Sequence, residues 1–393
     1  MAVLLECQGV SYDYPGRGAA LRDVHLEIVK GRKTAIIGPN GAGKSTLFLH
    51  LNGVLRPKGG QVRFQGEPIV YRNKDLSLLR KEVAVILQNP DDQIFSATVE
   101  EDVAFGPLNL GLPKEEIEAR VDEALALVDM TGERERPSQQ LSFGQKKRLA
   151  LAGALAMRPK VLIMDEPTAG LDPHMVQEVL ELTEELHMKG ITLVMSTHEL
   201  EVAYSWADDF VVMNLGKVVF SGPAEGLFAN RSLLELIGFQ APDVYRMNEE
   251  MHRIGLFELT PVPKHMTDLR MKFCRMNGRA MGGMSIRRVD KGELPSITEV
   301  HTLISQGKAV GYYGSRAKHL LATMLPSDVR LPGLRGCLDK MVDGRDAMLY
   351  TDGMLVPAIM DHINNLAQRY GLAINVMDGW TEEGHAADGW PTG

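Results

Sequence analysis

The chain has 393 residues, 44% hydrophobic and 24% charged, with a formal net charge of −8. That balance is ordinary for a soluble globular protein of two or three domains. It excludes a global basic footprint for nucleic acid or an anionic surface, so no nucleic-acid partner is expected. Cys7, Cys274 and Cys337 are too scattered for a disulfide framework or a paired metal site and fit a reducing compartment. No window reaches the roughly eighteen apolar residues of a membrane-spanning helix, and MAVLLECQGV lacks the pattern of a secretory leader.

In chain order, residues 1–36 read as short strands: Leu4–Tyr14, a turn at PGRG (15–18), then Val24–Val29. Apolar runs then alternate with helical patterns. Strands are expected at Thr34–Gly38, Val83–Gln88, Val161–Asp165 and Ile191–Ser196. Helices are expected at Lys44–Val54, Lys114–Asp129, Lys146–Met157 and Pro173–Lys189. Asp209–Asn214 and Lys217–Ser221 read as a hairpin across Leu215-Gly216. Unbroken apolar strands separated by helices imply a mostly parallel α/β sheet covered on both faces. Residues 241–296 are rich in methionine and turn signals and read as a linker or extension. A second alternation fills 297–380: helix 297–306, strand Ala309–Tyr313, helix Ser315–Leu325, strand Ala347–Tyr350, helix Val356–Tyr370 and strand Leu372–Val376. Residues 381–393 read as a loose tail.

The first chemical motif is Gly38-Pro39-Asn40-Gly41-Ala42-Gly43-Lys44-Ser45-Thr46, a GxxxxGK[ST] loop between a strand and a helix. Its backbone N–H groups and the helix start suit phosphate oxygens. Lys44 is placed for the β/γ-phosphates and the Ser45 hydroxyl for Mg²⁺. Ligands of parallel sheets sit at the carboxyl ends of strands. There the expected strands deliver Gln88, Asp165-Glu166 and His198. Asp165 can hold a water on Mg²⁺, Gln88 can complete the Mg²⁺ and water shell, Glu166 can act as general base on a water, and His198 can contact a γ-phosphate. The cofactors expected are ATP and Mg²⁺, and the reaction is phosphoryl transfer to water.

A second turn, Leu141-Ser142-Phe143-Gly144-Gln145, opens another helix. Ser142 suits an N-cap, and Gly144 lets the backbone come close to an anion. The ordered set of phosphate loop, Gln, Ser-x-Gly-Gln, Asp-Glu, Asp and His over residues 1–238 resembles the ATP-binding subunits of ABC transporters. The resemblance implies a P-loop nucleotide-binding domain over 1–240, with an N-terminal antiparallel β-subdomain and a helical subdomain, followed by a small α/β domain. It implies a head-to-tail dimer, in simplest form a homodimer, in which Ser142, Gly144 and Gln145 meet the γ-phosphate held by the partner. By the same resemblance, Asp172 lies in the segment linking the two sites. Tyr14 corresponds to the aromatic that stacks on adenine, with Tyr12 the weaker alternative.

Phe143 departs from the commonest form of the turn, where glycine is usual. Together with LQNPDDQIF (87–95), EDVAFGP (101–107) and Lys146-Lys147-Arg148, it resembles the energy-coupling-factor ATPases, and among them cobalt/nickel import ATP-binding proteins. That likeness implies an ATPase at the cytoplasmic face of a membrane, with a transmembrane coupling subunit and a substrate-binding membrane subunit as partners. Co²⁺ or Ni²⁺ would be the cargo. A vitamin or other small substrate, or a soluble ABC-type ATPase, are the alternatives. The likeness places a coupling helix after Gln88, for which Ile94, Phe95, Val103, Phe105 and Leu108 are floor candidates, with ordinary core as their alternative. The methionines 247, 251, 266, 271, 276, 281 and 284, with His252, His265 and Cys274, read as flexible packing, with a soft-metal sensor as the weaker alternative. The strand–turn–helix at 309–316 lacks a dinucleotide fingerprint, and a regulatory or dimer-supporting role is expected of this region.

Overall fold

The structure, a computed structural model, describes residues 2–16, 18–289, 295–321 and 331–378. The chain divides into two compact units, Met1–Leu269 and Arg270–Gly393.

The first unit carries two sheets. Strand Gly18–Val29 alternates exposed residues with buried Leu21, Val24, Leu26 and Ile28, the period-two pattern of a sheet with one wet face. It pairs with Val3–Tyr14, which continues to Gly59–Phe64 and the short Glu67–Pro68 in an antiparallel sheet. The second sheet has six strands in the order Lys217–Pro223, Asp209–Asn214, Lys33–Ile37, Thr192–Thr197, Val161–Asp165, Val83–Ile86. All its pairings are parallel except that of the hairpin Asp209–Asn214/Lys217–Pro223. Its inner strands Lys33–Ile37, Thr192–Thr197 and Val161–Asp165 are buried throughout and mostly apolar because both faces are covered. Ala35, Ile37, Leu162 and Met164 enter one core, while Ile36, Val161 and Ile163 enter the other. Burying such a side chain contributes about 1.5–3 kcal/mol, so both faces hold the sheet in place.

Helices Val99–Asn109, Lys114–Leu127 and Phe143–Ala156 pack against one another as a helical subdomain. The first starts at a reciprocal capping box between Thr98 and Glu101. Strand Gly59–Phe64 and helices Asn73–Glu82 and Val99–Asn109 have no counterpart in the sequence-based expectations.

The second unit holds a five-stranded, all-parallel sheet in the order Leu331–Pro332, Ala309–Tyr313, Ala347–Thr351, Met284–Arg288, Val376–Asp378. The segment 241–296, expected as a linker or extension, contains helices Asp243–Arg253 and Met266–Met276 and sheet strand Met284–Arg288. Tyr245 and Val262 lie in the core of the first unit. The expected strand Leu372–Val376 shifts to Val376–Asp378, because Gly371 adopts φ 62° and the Leu372 N–H closes back on Ala367 O as a helix end. The last residues of the expected helix 315–325 and the tail 381–393 lie outside the described residues. Of the methionine-rich stretch, Met271 and Met284 are fully buried, and the Cys274 thiol donates to Val342 O at 3.7 Å, all packing roles. Among the described residues no cluster of three or more His, Cys, Asp or Glu is placed to hold a metal.

Candidate functional site

Strand register brings the candidate residues to one sheet edge. Ile37 pairs with Thr197, Asp165 with Ser196, and Ile86 with Met164, so the carboxyl ends of the central strands align. The phosphate loop leaves the first of these strands, His198 follows the second, Glu166 the third, and Gln88 the fourth.

Within the loop, Gly38 and Ala42 are buried, whereas Pro39, Asn40 and Gly41 are exposed at the tip. Gly43 has φ 103° and sits so close to the backbone that a Cβ would fall 2.6 Å from Ala20 O; only glycine fits. Lys44 begins helix Lys44–Leu51 and is buried. Its Nζ donates to Gly38 O at 2.8 Å and Pro39 O at 3.4 Å, and lies 3.9 Å from Glu166 Oε1. Burial lowers the Lys44 pKa from its ordinary value, while the Glu166 and Asp165 carboxylates pull it back up. Ser45 is exposed beside it. The Tyr14 hydroxyl lies 3.4 Å from Thr46 Oγ1, and its ring meets Tyr12 edge-on at 5.0 Å. Tyr12 packs in turn on His50, at 4.8 Å, and against the core.

Glu166 is the hub. Its carboxylate accepts from Gln88 Nε2 at 3.0 Å through Oε2, and His198 Nδ1 lies 3.3 Å from that same oxygen. Its backbone has φ 46°, a left-handed conformation that a non-glycine residue adopts at a cost of roughly 1–3 kcal/mol. The strain is held by Ser196: Glu166 N–H donates to Ser196 O at 3.2 Å and to its Oγ at 2.9 Å. The same hydroxyl donates to Asp165 Oδ1 at 2.5 Å. Ser196 is fully buried and was not singled out from sequence. Its only sequence signal is a serine near the carboxyl end of an apolar strand, and the register that places it against Asp165 is invisible without the fold. The pair Asp165–Glu166 thus occupies a dry corner, 5% and 7% exposed, with Lys44 and His198 beside the Glu166 carboxylate.

The Ser45 hydroxyl, the Gln88 amide oxygen and the Asp165 carboxylate are all oxygen donors, the kind that suits Mg²⁺. The Gln88 Nε2 is engaged by Glu166, which leaves its amide oxygen as the group that could face a cation.

The second turn is built as a helix start. Ser142 Oγ accepts the Gln145 N–H at 3.3 Å, and Gln145 Oε1 accepts the Ser142 N–H at 3.0 Å, a reciprocal capping box. Helix Phe143–Ala156 therefore starts three residues earlier than the expected Lys146. Gly144 is buried beneath Met175, and Asp172 caps helix Pro173–Met188 by accepting the Met175 N–H at 2.9 Å. The hydrogen bonds of Ser142, Gln145 and Asp172 are thus local, whereas Lys44, Gln88, Glu166 and His198 converge. Lys147, on the helix after the turn, enters the sequence reading only within the run Lys146-Lys147-Arg148, with no role at the site; its ammonium reaches the carbonyls of Glu166, Pro167 and Ala169.

Of the expected groove residues, Phe95, Phe105 and Leu108 are exposed, with the two rings edge-to-face at 4.4 Å. The buried Asp102 carboxylate fixes this display by accepting the N–H groups of Phe95 and Ser96 at 3.1 and 3.0 Å. Val103 is fully buried and Ile94 packs on the core, so those two are structural. Among the described residues no helix is long and apolar enough to cross a membrane.

A family model described as ABC transporter matches residues 21–169. The energy-coupling factor transporter ATP-binding protein EcfA2 of Methanospirillum hungatei is 34% identical over 386 residues, 96% of this chain and 96% of that one. The cobalt import ATP-binding protein CbiO of Rhodobacter capsulatus is 48% identical over 242 residues, 62% of this chain and 86% of the relative. Among solved structures, cbiO1 from Clostridium perfringens, described as part of the ABC transporter complex cbiONQ, is similar with a TM-score of 0.55 at 40% identity, covering 65% of this chain and 98% of that one.

Proposed function

The chain belongs to the ABC transporter family, as an ATPase of the energy-coupling-factor kind, and from that premise we propose that it drives uptake of a transition-metal ion, Co²⁺ or Ni²⁺, through membrane partners. The observation that supports the site assignment best is the convergence of Lys44, Gln88 and His198 on the single carboxylate of Glu166.

In this proposal the phosphate loop cradles ATP on its backbone N–H groups, and Lys44 moves from the Gly38 carbonyl to the β/γ-phosphates. Glu166 takes a proton from the attacking water as general base, oriented by Gln88 and His198. Ser45, Gln88 and Asp165 would hold Mg²⁺, which supplies charge neutralisation at the phosphates. Tyr14 would stack on the adenine. Two copies close head to tail, and the turn Ser142–Gln145 of one meets the nucleotide of the other, with Asp172 near the junction. Closure needs oriented N–H groups at a helix start; the capping box engages those of Ser142 and Gln145 and fixes the helix start on which the remaining first-turn N–H groups are carried.

Phe95, Phe105 and Leu108 would receive a segment of a transmembrane coupling subunit, placing the chain peripherally at the cytoplasmic face, with a separate membrane subunit binding the cargo. The metal cargo is supported by the similarity to the cobalt import protein of Rhodobacter capsulatus. The test is to express the chain with its neighbouring membrane subunits, purify on its tag, and measure ATP-driven uptake into vesicles. Accumulation of Co²⁺ or Ni²⁺ is expected. A stable complex that moves neither ion would remove the metal, and the absence of any membrane complex would favour a soluble ATPase.

A further inference from the structure

We propose that Lys147 is a positioning residue that ties the turn serving the partner's nucleotide to the general base of its own chain. The proposal rests on the head-to-tail dimer above, because only there do the two ends of the tie belong to different active sites.

Lys147 lies one helical turn into Phe143–Ala156 and is 7% exposed. Its Nζ donates to Glu166 O at 3.1 Å, Pro167 O at 3.0 Å and Ala169 O at 2.6 Å. An ammonium has three protons, and three carbonyls receive them. A lysine ammonium so enclosed by carbonyls is an unusual use of the residue, since burial penalises its charge. Burial pushes its pKa down to about 8, against the attraction of Glu166.

The contact has a mechanical meaning. Glu166 sits at φ 46°, and its backbone is clamped at two points: Ser196 takes its N–H, and Lys147 donates to its carbonyl. Ser196 belongs to the central sheet, whereas Lys147 belongs to the helical subdomain. The strained residue that carries the base is therefore held between two different elements, which share one hydrophobic core. A second contact runs in parallel. The Phe143 ring lies 5.3 Å from Lys147 Nζ, and a Cβ on Gly170, itself at φ +75°, would fall 3.2 Å from that ring. Phe143, the departure from the usual glycine of this turn, thus rests on the segment running from Glu166 to Asp172. Displacement of Ser142–Gln145 by a partner's γ-phosphate would move Lys147 and Phe143 together, and with them the backbone of Glu166. Misplacing a reacting group by about 1 Å is enough to change a rate on the order of a hundredfold.

The test uses the full chain with Lys147→Met, Lys147→Gln and Lys147→Arg. Steady-state ATPase and binding of a fluorescent ATP analogue are measured on each, with thermal melts to confirm folding. Lys147→Met is expected to lower kcat roughly 10–100-fold with KM and analogue affinity within about threefold of wild type. Lys147→Arg, which keeps the charge, is expected to recover most of the loss. Lys147→Gln stands in if the methionine variant does not fold. A folded Lys147→Met or Lys147→Gln variant with kcat within twofold of wild type would overturn the proposal. So would an equal loss of analogue binding and kcat in all three variants, the mark of a purely structural role. Glu166→Gln is run alongside: ATP-dependent dimer formation by that variant upholds the dimer, so failure of the Lys147 arm then counts against the tie alone. A Glu166→Gln chain that stays monomeric with ATP overturns the dimer and the tie with it.

Discussion

His198 Nδ1 stands 3.3 Å from Oε2 of Glu166, the oxygen that also accepts from Gln88. A carboxylate held from two sides has its lone pairs aimed before a substrate arrives, which is what a general base requires. His198 is half-exposed, and Glu166 is buried, so the histidine is the movable partner and the glutamate the fixed one.

From this arrangement Glu166→Gln is expected to reduce kcat by at least about a hundredfold while leaving ATP affinity nearly unchanged, because the amide keeps the shape and loses the basicity. His198→Ala should reduce kcat by roughly 10–100-fold with the carboxylate still present. Phosphate release at saturating ATP, paired with equilibrium binding of a fluorescent analogue, separates the two effects. Turnover by Glu166→Gln near the wild-type rate would remove Glu166 from the role of base.

How much of this was legible in the sequence depends on whether the cause is local. The phosphate loop, the strand Val161–Asp165 and the cap at Ser142 are set by neighbours in the chain, and each sits where its residues imply. The parallel sheet followed from unbroken apolar runs. Ser196 and Lys147 were not legible, because their importance arises from strand register and from a helix lying across the Glu166–Ala169 segment. The helix Val99–Asn109 has no counterpart in the sequence-based expectations; Gly106 and Pro107 disfavour a helix, whereas the capping box at Thr98 and Glu101 and burial of Val99 and Val103 carry it through. Strand Met284–Arg288 is short and lies next to residues with no clear alternation, so its place at the heart of a sheet comes from pairing on both sides.

The aromatic pair Phe95 and Phe105 is exposed although each ring is large and apolar, and Asp102 holds its loop in place. Replacing both by serine removes apolar area that contributes nothing to the core. The variant is expected to fold with ATPase activity within about twofold of wild type while failing to co-purify with the membrane subunits. Retention of the complex by the double variant would move the docking surface elsewhere.

Truncation tests where the first unit ends. Tyr245 and Val262 lie in its core, Tyr245 meets the ring of Phe228 at 5.2 Å, and the Tyr204 hydroxyl donates to Pro263 O at 2.6 Å. A fragment 1–240 loses these groups and should be less stable than 1–269 by roughly 3–5 kcal/mol, the cost of removing a buried aromatic and its neighbours. The fragment 1–269 is expected to keep basal ATPase. Urea midpoints of the two fragments decide it, and equal midpoints would place the boundary at 240.

The buried ammonium of Lys147 makes stability depend on alkaline pH in a direction opposite to that of a paired lysine. Its pKa falls from 10.5 to about 8 in the folded chain because burial disfavours the charge. Between those values the unfolded chain binds the proton and the folded chain does not, so this group makes unfolding harder as pH rises. Below pH 8 the penalty for burying the charge is fully present; above 10.5 it is gone. A shift of this size corresponds to about 3 kcal/mol across the window. Wild type and Lys147→Met, unfolded in urea at pH 7.5, 9 and 10, isolate the effect, since every other titrating group is common to both. The wild-type stability should climb relative to the variant as pH increases. A difference that stays flat, or shrinks, would mean that Lys147 keeps an ordinary pKa, with its charge stabilised by the carbonyls of Glu166, Pro167 and Ala169 more strongly than burial opposes it.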